Sequence, residues 1–351
     1  MVGAAPHDAI TNMALKTRHE LRQTRESEIF ALYIAEEIQN LGIRRIDQMD
    51  KISRGSTLVY HSSFGVPIVT EILQNWIGPL VLVYHNISPA SYYDRFDKSF
   101  SEGLSWGRVE LSLLKEKVVH AFAMSQFNAG ELLEVGYKSI SVRPIGLDPF
   151  RLDQVPSDGL LIRELNSRFP NGFVLVVSQV LPHKRMELAI EAVHILNTVF
   201  ERKTGLVIVG PQRQQSYLQE LLAFSRSLPN LDVYFAGSVS DTHLATMYRA
   251  ARCLLSTSDH EGLSVPPLEA MAQELCVIAR AAGALPETIQ NGGILIPMDV
   301  TCPQIAGILD VMLGNQDLQS NLRAAGLRRL EMLKKTDAAR SIASEIDLIL
   351  A

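Results

Sequence analysis

The second half of the chain repeats one pattern. A short run of consecutive apolar residues gives way to a polar or glycine-bearing loop, and then to a stretch with apolar residues at helical spacing. The runs are Phe173-Val174-Leu175-Val176-Val177, Leu206-Val207-Ile208-Val209, Val233-Tyr234-Phe235-Ala236, Cys253-Leu254-Leu255, Cys276-Val277-Ile278-Ala279 and Ile294-Leu295-Ile296. A strand with one wet face alternates apolar and polar residues, so a run apolar throughout is buried on both faces, as in a parallel sheet covered by helices. Leu188, Ala189, Ala192, Val193 and Leu196 show the helical spacing such crossovers need. The pattern predicts an α/β fold. At 351 residues the chain has room for two such domains. Thr57–Tyr60, Pro79–Tyr84 and Val118–Met124 carry the same signal in the first half. The expected division is residues 1–150, 151–332 and a C-terminal helix within 333–351 that crosses back to the first domain. The polar, proline-containing passage from Asp148 to Asp158 is the expected linker.

Composition narrows the function classes. Hydrophobic residues make up 47% and charged residues 20%, ordinary for a globular protein. A net charge of −5, with no basic stripe carrying interleaved aromatics, argues against a nucleic-acid partner. Cys253, Cys276 and Cys302 make no metal-binding spacing, and the first two lie in apolar runs, so buried thiols in a reducing compartment are expected. No apolar run reaches membrane-spanning length and no signal-peptide core opens the chain, so the expected location is cytoplasmic. The early helix carries Lys16, Arg18, Arg22 and Arg25. A solvated polar surface is the first reading, and a patch facing an anionic membrane the second. A further helix is expected from Glu26 to Leu41, stopped by Gly42.

The candidate chemistry gathers on loops at strand ends, where an open α/β sheet binds its ligands. In Ser258-Asp259-His260-Glu261-Gly262-Leu263-Ser264-Val265-Pro266-Pro267-Leu268-Glu269, the tandem prolines open a helix. Glu261 then lies on the loop and Glu269 in the first helical turn. Two carboxylates so placed suit the hydroxyls of a sugar or a ribose, although Glu269 could equally answer the helix dipole and Glu261 be a solvated loop acid. The loop Ser178–Arg185 brings Lys184 to a helix start, an arrangement suited to a diphosphate or to a lysine snorkelling at a helix end. His61 and His85 each follow an apolar strand, and two histidines at successive strand ends would line one crevice.

Taken in order, these segments resemble the nucleotide-sugar-dependent glycosyltransferases of group 1, family 4, which have two facing Rossmann-like domains (the GT-B architecture) and retain anomeric configuration. The resemblance rests on Glu261-x7-Glu269, on Lys184 in its loop, and on Gly283-Ala284-Leu285-Pro286-Glu287, which matches a Gly-x-x-Pro-Glu turn. Ser125-Gln126-Phe127 with Gly136, Val142–Asp148 and the position of His85 add to it. It implies an acceptor-side first domain and a nucleotide-sugar-binding second domain. Donor contacts would come from Gln179, Lys184, Arg185, Gly210, Val239, Glu261, Gly262, Leu263, Ser264 and Glu269. Lys184 would hold the diphosphate, Glu261 with the amides of Gly262 to Ser264 the sugar, and Glu269 the ribose. Val239 lies in the loop that meets the base. His85, Glu261 and Lys184 would be catalytic, with His85 near the reacting carbon, and Gly3, Ala4 and His61 would form the acceptor-side loop.

The implied reaction is transfer of a hexose from a nucleotide-diphosphate sugar to a hydroxyl of a glycan, polysaccharide or lipid-linked acceptor, with peripheral membrane association where the acceptor is lipid-linked. No carboxylate pair suited to a covalent intermediate is evident, so front-face substitution without metal or cofactor is expected, the protein positioning both substrates and neutralising phosphate charge. Two features depart from the family pattern. Gln179 stands where an arginine is usual, keeping a donor but losing charge and the bidentate fork, which Arg185 could replace. Almost nothing precedes the Gly3-Ala4 turn, so either the sheet lacks its usual first strand or the chain starts late. Two alternatives therefore stand beside transfer: a degenerate GT-B paralogue that binds or regulates, and a nucleotide-sugar epimerase of the same build.

Overall fold

The structure, a computed structural model, describes residues 1–6, 8–53, 55–144, 148–337 and 342–350. The chain divides into two compact units, Met1–Leu147 with Asp337–Ala351, and Asp148–Thr336.

Unit 1 opens with β1 (Gly3–Ala4), α1 (Ala9–Leu21), β2 (Ile29–Ala31), β3 (Tyr33–Ile34) and β4 (Ile43–Arg45). It continues with β5 (Leu58–Ser62), α2 (Pro67–Asn75), β6 (Leu80–Tyr84), α3 (Lys98–Leu114), β7 (Val118–Ala123), α4 (Gln126–Val135) and β8 (Ile140–Val142). Strands β5-β6-β7-β8 form a parallel sheet, while β1 pairs with β3 and β2 with β4, also in parallel. Leu80 to Tyr84 are all fully buried, as the continuous apolar run requires. On α1, Met13, Ala14 and Leu21 point inward and Asp8 caps the first turn.

Two expectations need correction here. Glu26 to Leu41 is not one helix. It holds β2, β3 and a 3₁₀ turn over Glu36–Leu41, although Gly42 does end that turn in the left-handed region at φ 65°. Arg18 accounts for part of this stop by donating to the carbonyls of Leu41 and Gly42. Gly3 and Ala4 form strand rather than turn, because Tyr33 and Ile34 offer them a parallel partner, and Ala4 is buried. Farther along, Asp97 caps α3 by accepting from the Phe100 amide.

Unit 2 contains α5 (Gly159–Arg168), β9 (Phe173–Val177), α6 (Met186–Val199), β10 (Gly205–Val209), α7 (Gln215–Ser227) and β11 (Val233–Gly237). Then follow α8 (Asp241–Ala250), β12 (Cys253–Ser256), α9 (Pro266–Ala272), β13 (Val277–Arg280), α10 (Leu285–Ile289), β14 (Ile294–Ile296), α11 (Cys302–Gly314) and α12 (Gln316–Asp337). Its six strands are all parallel, in the order β11-β10-β9-β12-β13-β14. Strand order reverses between β9 and β12, so the loops leaving those two strands flank the switch point, where a doubly wound sheet opens its ligand crevice. The passage Asp148–Asp158 is not a loose linker. Leu152 is fully buried, and Arg249 grips the carbonyls of Leu152 and Val155.

The last helix, α13 (Ile342–Leu350), clusters with unit 1, where Arg143 pairs with Glu345. Of the segment Val142–Asp148, Val142 ends β8, residues 145–147 lie outside the described residues, and so do residues 338–341.

Candidate active site

The two switch-point loops of unit 2 are tied together before any ligand is considered. After β9 the chain makes a single 3₁₀ turn at Pro182–Lys184, and Arg185 adopts the left-handed region at φ 49° to start α6. The Asp259 amide donates to the His183 carbonyl at 2.8 Å, and Thr257 Oγ1 donates to the Lys184 carbonyl at 3.2 Å. This brings Lys184 Nζ to 2.9 Å from Glu261 Oε1, with side chains 14% and 9% exposed. Ser258 Oγ donates to the same carboxylate oxygen at 2.7 Å, fixing its orientation. The residues expected on the phosphate and on the sugar are therefore one ion pair.

A second charge network lies beside it. Asp259 accepts from Arg185 Nη1 at 2.6 Å and from Arg280, which also donates to the carbonyls of Thr257 and Met298. Arg185 Nε meets Glu187 Oε1 at 2.5 Å, and Tyr217 donates to the other Glu187 oxygen at 2.6 Å. Burial works against the Arg185 charge, but bonds to Glu187 and Asp259 outweigh it and raise its pKa. Arg185 is thus committed to two carboxylates and does not supply loose charge in place of Gln179. The start of α6 is also partly answered. Tyr217 takes the Met186 amide at 2.9 Å, and Glu187 sits in the first turn.

The Glu261 loop rests on the turn that follows β13. The Ala284 amide donates to the Glu261 carbonyl at 2.8 Å, and Thr288 Oγ1 to the Leu263 carbonyl at 2.7 Å. Gly283 has φ 52°, and a Cβ there would lie 2.2 Å from the Glu261 carbonyl oxygen, so only glycine lets the turn approach. Gly262 and Leu263 follow, and Ser264 takes the left-handed region at φ 67° before Pro266 opens α9. Gly210 answers a similar constraint. Its φ is 143°, and a Cβ would meet the Ser178 carbonyl at 2.0 Å, so its identity follows from close strand-end packing. Val239 lies in the loop between β11 and α8.

Glu269 is buried in the first turn of α9. Arg151 Nε reaches Oε1 at 2.6 Å and the Tyr248 hydroxyl donates to Oε2 at 2.9 Å, so both oxygens have partners and the dipole alone does not explain the residue. Sequence reasoning missed Arg151, Tyr248, Ser258 and Thr288. Only Gly283, through its turn, carried a signal.

In unit 1, His61 lies in β5 and His85 directly follows β6. Strand register sets them side by side: the rings stack with centroids 5.2 Å apart, and His61 Nδ1 lies 2.9 Å from His85 Nε2. Burial holds His85 well below the ordinary histidine range, at about 3, and burial reinforced by His85 lowers His61 as well. The pair is neutral at pH 7, with one ring donating and the other accepting. Asn86, next in sequence, sits at φ 79° and is anchored by bonds to Asn128 Oδ1 at 2.9 Å and Glu131 Oε2 at 2.8 Å.

The family profile described as glycosyl transferases group 1 matches residues 161–329. The serotype-specific mannosyltransferase WbdA of Escherichia coli is 26% identical over 259 residues, 70% of this chain and 31% of that protein. The MMP alpha-(1->4)-mannosyltransferase of Mycolicibacterium hassiacum is 28% identical over 207 residues, 57% of this chain and 49% of that one. The chain thus spans about a third to a half of the length of these relatives. Among solved structures, Anabaena HepE in complex with UDP matches with a TM-score of 0.67 at 15% identity, covering 97% of this chain and 99% of that one. WaaG, a glycosyltransferase involved in lipopolysaccharide biosynthesis, matches with a TM-score of 0.65 at 15% identity, covering 98% and 95%. At such identity the likeness speaks for the fold, which is the GT-B class of two Rossmann-like domains. Through residues 161–329 the chain is similar to the group 1 glycosyl transferases.

Proposed function

We propose that this protein is a hexosyltransferase, moving a sugar from a nucleotide-diphosphate donor to a hydroxyl of a glycan or lipid-linked acceptor, with retention and without a metal. The observation that carries the reading is the Lys184–Glu261 pair at the switch point of a complete parallel sheet. A cation held 2.9 Å from a carboxylate can turn to a diphosphate while the carboxylate accepts from sugar hydroxyls. Lys184 then balances charge developing on the departing phosphate, and the loop Gly262–Ser264 offers amides to the hexose. Glu269, held by Arg151 and Tyr248, is positioned for a ribose hydroxyl. His85 is assigned the hydrogen bond near the reacting carbon, and a neutral imidazole suits that role without competing for the phosphate charge.

Relatives named as mannosyltransferases and a neighbour solved with UDP support a hexose on a nucleotide diphosphate. A thermal-shift screen with UDP, GDP, ADP and their hexose conjugates, followed by a transfer assay on the stabilising donor, tests the reading. Stabilisation by one sugar nucleotide with release of its nucleoside diphosphate is expected, and failure of all of them to bind would overturn it. One observation favours a second reading, a subunit that binds donor without turnover: Gln179 carries no charge and Arg185 is already paired. Donor binding with no release of nucleoside diphosphate would select it.

A further inference from the structure

His61 and His85 meet because of strand register. His61 pairs with Val83 across the β5–β6 ladder, and His85 lies two residues beyond Val83, so strand alternation brings both side chains to one face of the sheet as diagonal neighbours. The His85 amide donates to the Ser62 carbonyl at 2.9 Å, and Asn86 is pinned by Asn128 and Glu131, so the backbone that carries His85 is held on both sides. The ring planes differ by 24°, and their centroids are 5.2 Å apart, far more than the 2.9 Å between His61 Nδ1 and His85 Nε2. The rings therefore touch through their edges, where the N–H and the lone pair of an imidazole lie.

A hydrogen bond between two neutral imidazoles ties their tautomers together. If His85 Nε2 carries the proton, His61 Nδ1 is bare, and His85 is left with a lone pair on Nδ1. The reverse arrangement leaves His85 with an N–H there. Either way Nε2 of His85 is engaged by His61. Its Nδ1 has no hydrogen-bond partner among the described residues and is the nitrogen left for a substrate. Building on the role given to His85 in the proposed function, we propose that His61 is a positioning residue for the transfer. Its Nδ1 accepts from His85 Nε2–H and fixes the tautomer in which His85 Nδ1 accepts from a hydroxyl of the donor sugar.

The lone pair is the better partner for that sugar. Breaking a glycosidic bond builds positive character at the reacting carbon, and an N–H aimed at it would present the wrong end of a dipole. A chain of bonds running one way, from hydroxyl to His85 to His61, also polarises each link. His61 thus strengthens the acceptor as a carboxylate would, without setting a negative charge beside a departing diphosphate.

The test compares the full chain with His61→Asn and His61→Leu. Asn keeps a polar atom close to the position of Nδ1, whereas Leu keeps the shape of Asn and removes the acceptor. Nitrogen-15 spectra of histidine-labelled protein near neutral pH report which ring nitrogens carry protons. The expected result is a protonated Nε2 and a bare Nδ1 on His85 in wild type and His61→Asn, and an averaged tautomer in His61→Leu. In transfer assays, kcat of His61→Leu should fall about tenfold, as for the loss of one hydrogen bond, with donor KM nearly unchanged, and His61→Asn should recover most of it. A proton on His85 Nδ1 in wild type, the same fixed tautomer in His61→Leu, or equal losses of kcat in both variants would overturn the proposal. The expected tautomers in a wild type that transfers no sugar would uphold the pairing and reject the proposed function instead.

Discussion

The switch-point loops of unit 2 and the strand ends of unit 1 present opposite electrostatics on the same kind of parallel sheet. In unit 2, Lys184, Arg185 and Arg280 are each paired with Glu261, Glu187 or Asp259, and the loops bearing them are cross-linked backbone to side chain. In unit 1, two neutral histidines lean on one another. The contrast separates two tasks. On the proposed function, the charged groups that would meet a diphosphate are held in advance by acids that a ligand can displace or share, whereas the two histidines are kept uncharged by burial.

The largest expected effect breaks the charged half. Lys184→Ala and Glu261→Ala should each lower hexose transfer by about 10²–10³-fold, in the range for losing one preorganised charge contact. Each also strands a mostly buried partner, at a cost of about 3–5 kcal/mol in urea unfolding. The double variant Lys184→Met with Glu261→Gln should recover most of that stability and none of the transfer. A double variant as active as wild type would end the assignment.

Gly283→Ala probes the support of the same site. Its Cβ would collide with the Glu261 carbonyl, so a loss of about 1–3 kcal/mol is expected, with reduced transfer. Gly130→Ala in unit 1 is the control. It sits in α4 with open space around a Cβ, and should be neutral or stabilising by up to about 1 kcal/mol.

The neutral half is tested by pH. His61 and His85 have folded pKa values below the unfolded value of about 6.5, so below that pH the unfolded chain binds more protons and stability falls on acidification. The loss runs from pH 6.5 down towards 3, where His85 itself titrates, and for His61 amounts to at most about 1.4 kcal/mol per pH unit. His61→Gln with His85→Gln should flatten the dependence of Tm on pH between 5 and 7. An unchanged slope would show that the pair is already charged.

Legibility followed burial. The strands of unit 2 could be read because each is apolar on both faces, and the loop Ser258–Glu269 because prolines mark its helix start. Ile29-Phe30-Ala31 and Tyr33-Ile34 could not. Their spacing suits a helix, and only pairing with distant residues 43–45 and 3–4 makes them strands. Arg151 was invisible for a related reason. It lies in a polar stretch, and its role as partner of Glu269 comes from a contact 118 positions away.

Gln179→Arg gives the smallest expected change. A guanidinium at that loop adds a charged fork, and donor affinity should rise by about tenfold or less. Tighter binding with unchanged turnover would favour the transferase over the binding subunit.

The central claim is that Glu261 touches the sugar while Lys184 touches the diphosphate. Calorimetric titration of wild type, Glu261→Gln and Lys184→Ala with the preferred sugar nucleotide, and with its nucleoside diphosphate, tests it directly. Glu261→Gln should weaken the sugar nucleotide and leave the diphosphate unchanged, whereas Lys184→Ala should weaken both. Equal loss of both ligands in Glu261→Gln, or no loss of diphosphate in Lys184→Ala, would contradict the account.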